Sequence, residues 1–162
     1  MDKIKVAIIA AFTALTAWMG VLAMPVYLLV GLGISDYFTG VVAAKNRGQK
    51  VNSKTGIIGV AKKVFLLLLV ALGGVMDWLI MNATSVLGLE LPFTFVVATL
   101  VAVWLICNEL ISIMENLIDI GVKVPPFMLP IVRRIKGIAE EKTEALVDGV
   151  VQGNQNMKNR ED

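Results

Sequence analysis

The chain has 162 residues, of which 57% are hydrophobic and 17% are charged, and its formal net charge is +2. A soluble domain has about a quarter of its residues charged, so this composition excludes an ordinary soluble domain and indicates a protein covered by lipid. The chain has no histidine and one cysteine. This removes the commonest general base, the commonest metal ligand and any internal disulfide.

Four apolar segments follow one another, and each approaches the roughly 20 residues that cross a bilayer core of about 30 Å. Residues 6–35 carry no charge and are too long for one simple span, so we place a break and a tight turn at Pro25. The N-terminus resembles a signal peptide, but its apolar run exceeds the roughly 7–15 residues of a signal h-region, so we expect no cleavage. The predicted spans are 6–24, 26–44, 57–82 and 91–113, the last continuing as a helix to about residue 120.

Basic residues predict the orientation of these spans, because lysine and arginine concentrate in cytoplasmic loops. The N-terminus, the 45–56 loop and the 123–136 segment are basic, and four spans place all three on one side. Both termini are then cytoplasmic. We expect seven basic side chains to lie on anionic lipid at that surface: Lys45, Arg47, Lys50, Lys54, Arg133, Arg134 and Lys136.

The predicted fold class is therefore an all-α integral membrane protein with about four transmembrane helices. Three spans are the alternative, with 6–24 peripheral or 6–44 forming one bent element. Residues 1–122 make up the transmembrane domain, and 123–162 a cytoplasmic tail. The tail starts with prolines that stop the fourth helix, continues as a basic amphipathic segment with a short helix near 137–151, and ends in a polar run typical of disorder.

Asp36 is the most unusual residue of the second span, because a carboxylate within a membrane helix costs roughly 2.5–3.5 kcal/mol. Small neighbours, among them Gly40, surround it at helical spacing and allow close helix contact. Asp36 is then either a structural residue, bonded to a neighbouring helix or paired with Lys62 or Lys63, or a residue that lines water or controls oligomer formation.

Other polar residues interrupt the later spans. Asp77 lies about one turn from the predicted outer interface, which suits a structural or interfacial role. The end of the fourth span is amphipathic, with one polar row and two flanking polar residues. This surface is either an interfacial helix face or a contact between subunits or along a pore. Its residues are Asn108, Ser112, Glu115 and Asp119 in the row, flanked by Glu109 and Asn116.

The sequence offers little support for catalysis. It contains no phosphate-binding loop, no nucleophile elbow and no zinc-protease motif, and its intramembrane acids are not spaced to hold magnesium. We therefore predict a protein that is not an enzyme and has no cofactor, no metal and no nucleic-acid partner.

Several of these residues together resemble the bacteriophage holin family that includes the clostridial toxin-export holins. The resemblance covers about residues 26–130, whereas the N-terminal apolar region and the tail are longer than the family pattern, which leaves the number of spans open. The matching residues are Asp36-Tyr37, Thr39-Gly40, Ser53-Lys54-x-Gly56, Gly59, Lys62-Lys63, Asp77, Asn108-Glu109-x-x-Ser112-Ile113-x-Glu115-Asn116, Gly121 and Val124-Pro125.

The resemblance implies a phage lysis protein of the host cytoplasmic membrane. Such a protein forms homo-oligomers and opens timed lesions that release an endolysin or a toxin, or that collapse the membrane potential. The endolysin need not touch it directly. The candidate pore or oligomer contacts are Asp36, Gly40, Asp77, Asn108, Glu109, Ser112, Glu115 and Asn116. The rival functions are a small ion channel or transporter subunit, and a membrane scaffold without catalysis.

Overall fold

The computed structural model describes residues 2–50, 52–88 and 95–161, and these contain helices and no strand. Five α-helices follow one another, with a short 3₁₀ turn, Gly20–Leu22, between the first two. The helices are α1 (Asp2–Met19), α2 (Ala23–Asn46), α3 (Ser53–Val86), α4 (Val96–Ile120) and α5 (Met128–Glu161).

The chain turns between α1 and α2 at Gly20, whose φ of +52° lies in the left-handed region that glycine adopts without strain. Phe12 stacks on Tyr27 with ring centroids 5.3 Å apart, whereas fifteen residues of continuous helix would separate them by roughly 22 Å. The predicted turn at Pro25 is therefore wrong. Pro25 lies in the first turn of α2, where backbone N–H groups have no partner within the helix and proline is tolerated.

Helices α3 and α4 contain the third and fourth predicted spans. The Asn52 side chain caps α3 by accepting a 3.2 Å hydrogen bond from the Lys54 N–H. Helix α4 ends at Gly121, whose φ of +95° again suits glycine. The predicted start of the fourth span at 91–94 lies outside the described residues.

Helix α4 packs against α2, α3 and α5. The core between α2, α3 and α4 contains Leu29, Val70 and a buried stripe of α4, formed by Ala98, Ala102 and Leu105. Within the described parts of the chain, three stretches are long and apolar enough to cross a membrane: Asp2–Asn46, Gly56–Val86 and Val96–Ile120. Helix α1 has no buried residue, and the four-span arrangement stays a prediction.

Helix α5 extends the predicted tail helix at both ends. It runs from Met128 to Glu161, so the prediction of a short helix near 137–151 followed by a disordered end is wrong in extent. The final residues contain no proline to stop the helix, although Gly153 and three asparagines among them have low helix propensity. The segment between α4 and α5 contains Pro125 and Pro126, as the sequence indicates.

Candidate functional site

Charged side chains from three helices meet at one level of the bundle. Asp36 lies ten residues before the end of α2, Lys63 ten residues after the start of α3, and Glu109 eleven residues before the end of α4. At 1.5 Å per residue, each is roughly 15 Å from its helix end. The end of α2, the start of α3 and the end of α4 adjoin the basic 45–54 and 123–136 segments. We call this end of the bundle the basic end. The meeting point is therefore deep in the apolar part of the helices.

The Lys63 ammonium group lies between the two carboxylates. Its Nζ is 2.6 Å from Asp36 Oδ2 and also contacts Glu109 Oε2. The side chains of Asp36 and Glu109 are 14% and 5% exposed. We call Asp36, Lys63, Glu109 and Asn116 the charge network. With both acids ionised it carries one excess negative charge.

Asn116 completes the environment of Asp36. Its Nδ2 donates to Asp36 Oδ1 at 3.1 Å and to Thr39 Oγ1 at 3.3 Å. Each Asp36 oxygen therefore has a donor, one from α3 and one from α4. Buried charges are tolerated when they are paired and hydrogen-bonded in this way. The structural interpretation of Asp36 includes such pairing, and the structure selects Lys63 as its partner. The interpretation in which Asp36 lines water or controls oligomer formation stays a prediction.

The small residues of α2 make room for these partners. A methyl group on Gly33 would meet the Lys63 side chain at 3.6 Å, and one on Gly40 would meet the Asn116 amide at 3.6 Å. These are contact distances, so larger side chains would displace the two polar groups. Small residues at helix contacts in membranes allow polar groups to bond across the contact.

A cavity of about 270 Å³ connects the charge network with the basic end of the bundle. Asp36 and Lys63 line it at one end, and Gln49 and Lys50 of the loop line it at the other. This space is large enough for several water molecules, and Asp36, Lys50 and Lys63 supply polar groups in a lining that is otherwise mostly apolar. The network is therefore accessible from the loop side.

Asp77 occupies a different place and has different partners. It lies toward the other end of α3, is 6% exposed, and accepts hydrogen bonds from the N–H groups of Val97 and Ala98 at 2.9 and 2.8 Å. Its carboxylate thus caps the first turn of α4, where free N–H groups and the helix dipole favour a negative charge. We call this the Asp77 cap. Asp77 is therefore a buried residue that joins α3 to the start of α4.

Gly73 allows the helices to come close enough for this cap. A methyl group there would lie 2.9 Å from the Ala98 Cα, closer than real contacts, so α3 and α4 pack backbone to backbone. Neighbouring Gly74 has open space at the same position. Only the first of the two glycines is required by packing.

The polar row of α4 does not act as one surface. Glu115 is exposed and its Oε1 lies 3.5 Å from Arg133 Nη2, whereas Asp119 pairs with Arg47 at the basic end. Inward-facing positions belong to the flanking residues Glu109 and Asn116, which continue the buried stripe of α4. Asn108 and Ser112 are half-buried and are not part of the charge network.

The predicted lipid-surface residues divide into two groups. Lys45, Lys50, Lys54 and Arg134 are exposed and stay candidates for lipid contact. The others contact protein groups. Arg47 donates to Asp119, Arg133 lies near Glu115, and Lys136 lies over the Trp104 ring, 5.0 Å from its centroid.

Sequence reasoning named Lys63 only as one of two lysines that could pair with Asp36. It also treated Glu109 as a flank of the polar row. The missed signal is the spacing of Ala98, Ala102, Leu105 and Glu109, which recurs at four, three and four residues and marks one buried helix face. Among the described residues, no group of three or more histidine, cysteine, aspartate or glutamate side chains could hold a metal ion.

Comparison with known proteins gives a consistent result. A family model described as the bacteriophage holin family matches residues 13–137. A protein of Bacillus phage phi105 named a probable holin is 32% identical over 117 residues, which cover 72% of this chain and 78% of the phage protein.

Two uncharacterised bacterial proteins are also similar. One from Halalkalibacterium halodurans is 36% identical over 110 residues, 68% of this chain and 76% of the relative. One from Listeria monocytogenes is 35% identical over 100 residues, 62% of this chain and 63% of the relative. No solved structure matches the chain.

Proposed function

We propose, from the premise that this chain belongs to the bacteriophage holin family, that it oligomerises in the host cytoplasmic membrane and opens timed lesions there. The membership confirms the resemblance found in the residues, and the chain is a multi-pass membrane protein. The lesions would release an endolysin or a toxin, or collapse the membrane potential. The protein would act without catalysis, through its own assembly.

The charge network is the observation that carries this proposal. A bundle built only to stay in the membrane would gain from apolar side chains at these positions, because replacing a buried ion pair by well-packed apolar residues is often neutral or stabilising. This chain instead keeps three charges on three different helices. Ionisable groups within membrane segments mark functional sites by default.

The arrangement suggests how the protein changes from a harmless to a permeabilising form. In the dormant form, Lys63 holds α2 and α4 together through Asp36 and Glu109. In the assembled form, Asp36 faces water or a neighbouring subunit, and its separation from Lys63 loosens the bundle. The cavity toward Lys50 supplies a route by which water reaches Asp36 as this happens.

Inducible expression in a bacterium, with and without a cytoplasmic endolysin, tests the function. Turbidity and membrane potential are followed together. We expect growth to continue after induction, then a sudden loss of potential, with lysis only when the endolysin is present. A selective channel would change ion handling without releasing protein, and a scaffold would do neither, so gradual or absent depolarisation without lysis contradicts the proposal.

Asp36→Asn tests the role of the network in triggering. The amide keeps the size of the side chain and removes its charge, so the pairing with Lys63 is weakened and the time of triggering changes. Ser35→Ala is the matched control. Ser35 directly precedes Asp36 in α2 and is exposed, and its hydroxyl donates to the Gly31 carbonyl of the same helix. Normal lysis timing in Asp36→Asn, at equal protein level, contradicts the proposed role.

We also propose four spans, with the N-terminus and the tail on the cytoplasmic side. The reversal of the chain at Gly20 supports separate crossings by α1 and α2, and the 18 residues of α1 span roughly 27 Å. A fluorescent protein fused to the N-terminus should fluoresce, because it folds in the cytoplasm. An alkaline phosphatase fused there should be inactive, and an active phosphatase fusion contradicts this orientation.

A further inference from the structure

Lys62 is an exposed charge at the level of the charge network. It lies nine residues after the start of α3, or roughly 14 Å along the helix, and directly precedes Lys63. The ion pairs among the described residues use other cations, and Lys62 belongs to none of them. Ionisable groups within membrane segments pair with one another or face water. Lys62 is therefore free to give its charge to a partner outside its own chain.

A cleft between α2 and α3 leads from the outer surface of the bundle to the charge network. The two helices pack mainly on α4 and little on each other, which leaves a space of about 200 Å³. Val30, Ile34 and Val64 line its mouth and are exposed. Lys63 and Glu109 line its inner part, and the remaining walls are mostly apolar. We call this space the α2–α3 cleft.

Glu109 offers an acceptor at the inner end of this cleft. The residue is 4% exposed, and its Oε2 contacts Lys63 Nζ. Its other oxygen, Oε1, has no hydrogen-bond partner among the described residues and keeps some accessible surface. The network also has one excess negative charge with both acids ionised. These two features favour a second cation beside Glu109.

The walls of the cleft determine what kind of cation fits. A hydrated ion needs several polar partners, and the apolar walls supply few. A lysine side chain buries its methylene stem along apolar surface and carries its charge at the tip. The cleft is several times larger than the roughly 30 Å³ that one water molecule occupies, so an extended side chain has room. The chemistry of the cleft therefore matches lysine.

The symmetry of a membrane assembly brings Lys62 of a second copy to the correct depth. Copies related by rotation about the membrane normal keep every residue at one level, and Lys62 is at the level of the network. On α3 the cleft wall contains Val60, Val64 and Leu67, and Lys62 lies roughly 160° around the helix from them. Each chain thus has the cleft on one flank and Lys62 on the other. Such a head-to-tail contact repeats and can close into a ring.

Exposed apolar side chains surround both parts of this contact. Ile58 and Phe65 lie within about one turn of Lys62 and are exposed. Val30 and Ile34 occupy the mouth of the cleft. Apolar surfaces alone select no partner in lipid, where helices associate through packing and polar contacts. The charge pair therefore supplies the specificity of the contact.

We propose that the α2–α3 cleft binds the Lys62 side chain of a second copy of this chain, whose ammonium group pairs with Glu109. The four groups then alternate in sign, as Asp36, Lys63, Glu109 and the incoming Lys62, and their charges balance. This inference rests on the proposed function, because it supplies the contact through which the chains assemble. It uses the intact network, so it is the first association of dormant bundles. Separation of Asp36 from Lys63 follows within the assembly.

Disulfide cross-linking tests the contact in membranes that contain the full-length protein. Cys107, which is buried, is first replaced by alanine. Phe65→Cys, beside Lys62, and Ile34→Cys, at the mouth of the cleft, are then combined in one chain. Phe65 lies twelve residues after the start of α3 and Ile34 twelve before the end of α2, so the two depths match. Ser35→Cys replaces Ile34→Cys in the control, because Ser35 is exposed and is not part of the cleft lining.

We expect oxidation to give a ladder of dimers, trimers and longer products, severalfold stronger than in the control. Lys62→Met should reduce this ladder severalfold, and Lys62→Arg should restore it because the charge is kept. Lys62 pairs with no described acid of its own chain, so Lys62→Met should leave the free energy of unfolding of the single chain unchanged. This second measurement separates lost association from lost folding.

Two results overturn the proposal. One is a ladder that is no stronger than the control, and the other is a ladder that Lys62→Met leaves intact. Products that stop at the dimer overturn the head-to-tail arrangement, because a repeating contact does not end at two chains.

Cross-linking does not depend on lysis, so the contact and the proposed function can fail separately. Timed lysis by the unmodified chain, together with no ladder from the cysteine chain, overturns the contact and supports the function. A ladder that depends on Lys62, together with neither depolarisation nor lysis, supports the contact and contradicts the function. Delayed or absent lysis in Lys62→Met, at equal protein level, supports both.

Discussion

The charge network and the Asp77 cap each bury an acid between apolar helices, but different groups neutralise the two carboxylates. Asp36 shares one lysine with Glu109, and these contacts join side chains, which can separate without unwinding a helix. Asp77 is bound by two backbone N–H groups of α4, which neither titrate nor move unless the helix unwinds. The partner, rather than the acid or its depth, distinguishes a site able to switch from one that is fixed.

The two regions also differ in the number of helices that depend on them. The Asp77 cap joins α3 to α4, and the close approach at Gly73 supports the same pair. The charge network joins α2, α3 and α4, and it has a cavity on its loop side. Loss of the network should therefore release α2, whereas loss of the cap should loosen only one end of a helix pair.

Lys63→Met should produce the largest effect. It removes the cation between two buried carboxylates, and breaking a buried ion pair in this way typically destabilises by roughly 3–5 kcal/mol. The free energy of unfolding in mixed detergent micelles, measured by denaturant titration, provides the test.

Lys62→Met is its matched control, because Lys62 is adjacent and exposed. Neutralising both acids as well, with Asp36→Asn and Glu109→Gln, should restore most of the loss. Equal effects of the two lysine substitutions would contradict the assignment of Lys63 as the shared cation.

Asp77→Ala should have the next largest effect. It leaves the Val97 and Ala98 N–H groups without acceptors in a buried position, which costs about 1–3 kcal/mol. Asp77→Asn should lose less, since the amide oxygen still accepts one hydrogen bond. Hydrogen exchange of the first turn of α4 should increase in the alanine variant. Unchanged exchange there would contradict the capping role.

Gly73→Ala should destabilise the α3–α4 pair by about 1–3 kcal/mol, because the added methyl group overpacks the Ala98 backbone. Gly74→Ala serves as the control. It makes the same chemical change with open space around it, and it should be neutral or slightly stabilising, as alanine has the higher helix propensity. The thermal midpoints of the two variants in detergent give the comparison, and equal midpoints would contradict the close packing at Gly73.

Asp119→Asn should have the smallest effect. The Asp119 and Arg47 side chains are 41% and 43% exposed, and exposed ion pairs contribute about 0–1 kcal/mol. The same denaturant titration should detect little change. A loss as large as that of Lys63→Met would show that the basic end of the bundle, rather than the charge network, holds α2 against α4.

Much of the fold was accessible from the sequence, because long uncharged segments and basic loops have direct physical meanings in a membrane. The importance of Asp36 followed from its depth. Its pairing with Lys63 was one of two options. Lys62 and Lys63 are neighbours in the sequence, so the sequence does not show which of them faces Asp36. The burial of Glu109 depended on how α4 is rotated, and the polar row containing Glu115 suggested the wrong rotation.

The cap was harder to predict, because it depends on two helices at once. The sequence places Asp77 near an interface, and nothing local indicates that the first turn of α4 lies against it. The turn at Gly20 was missed for a simpler reason. Proline is the stronger breaker within a helix, but at Pro25 it occupies the first turn, where no hydrogen bond is lost.

The Asp77 cap has a consequence for the synthesis of the protein. When α3 first leaves the ribosome, α4 does not yet exist, and an unpartnered aspartate would oppose release of α3 into lipid by roughly 2.5–3.5 kcal/mol. That opposition ends once the N–H groups of Val97 and Ala98 arrive. Helix α3 should therefore be retained at the insertion machinery until α4 has been synthesised. The two helices should then enter the bilayer together as a preformed hairpin.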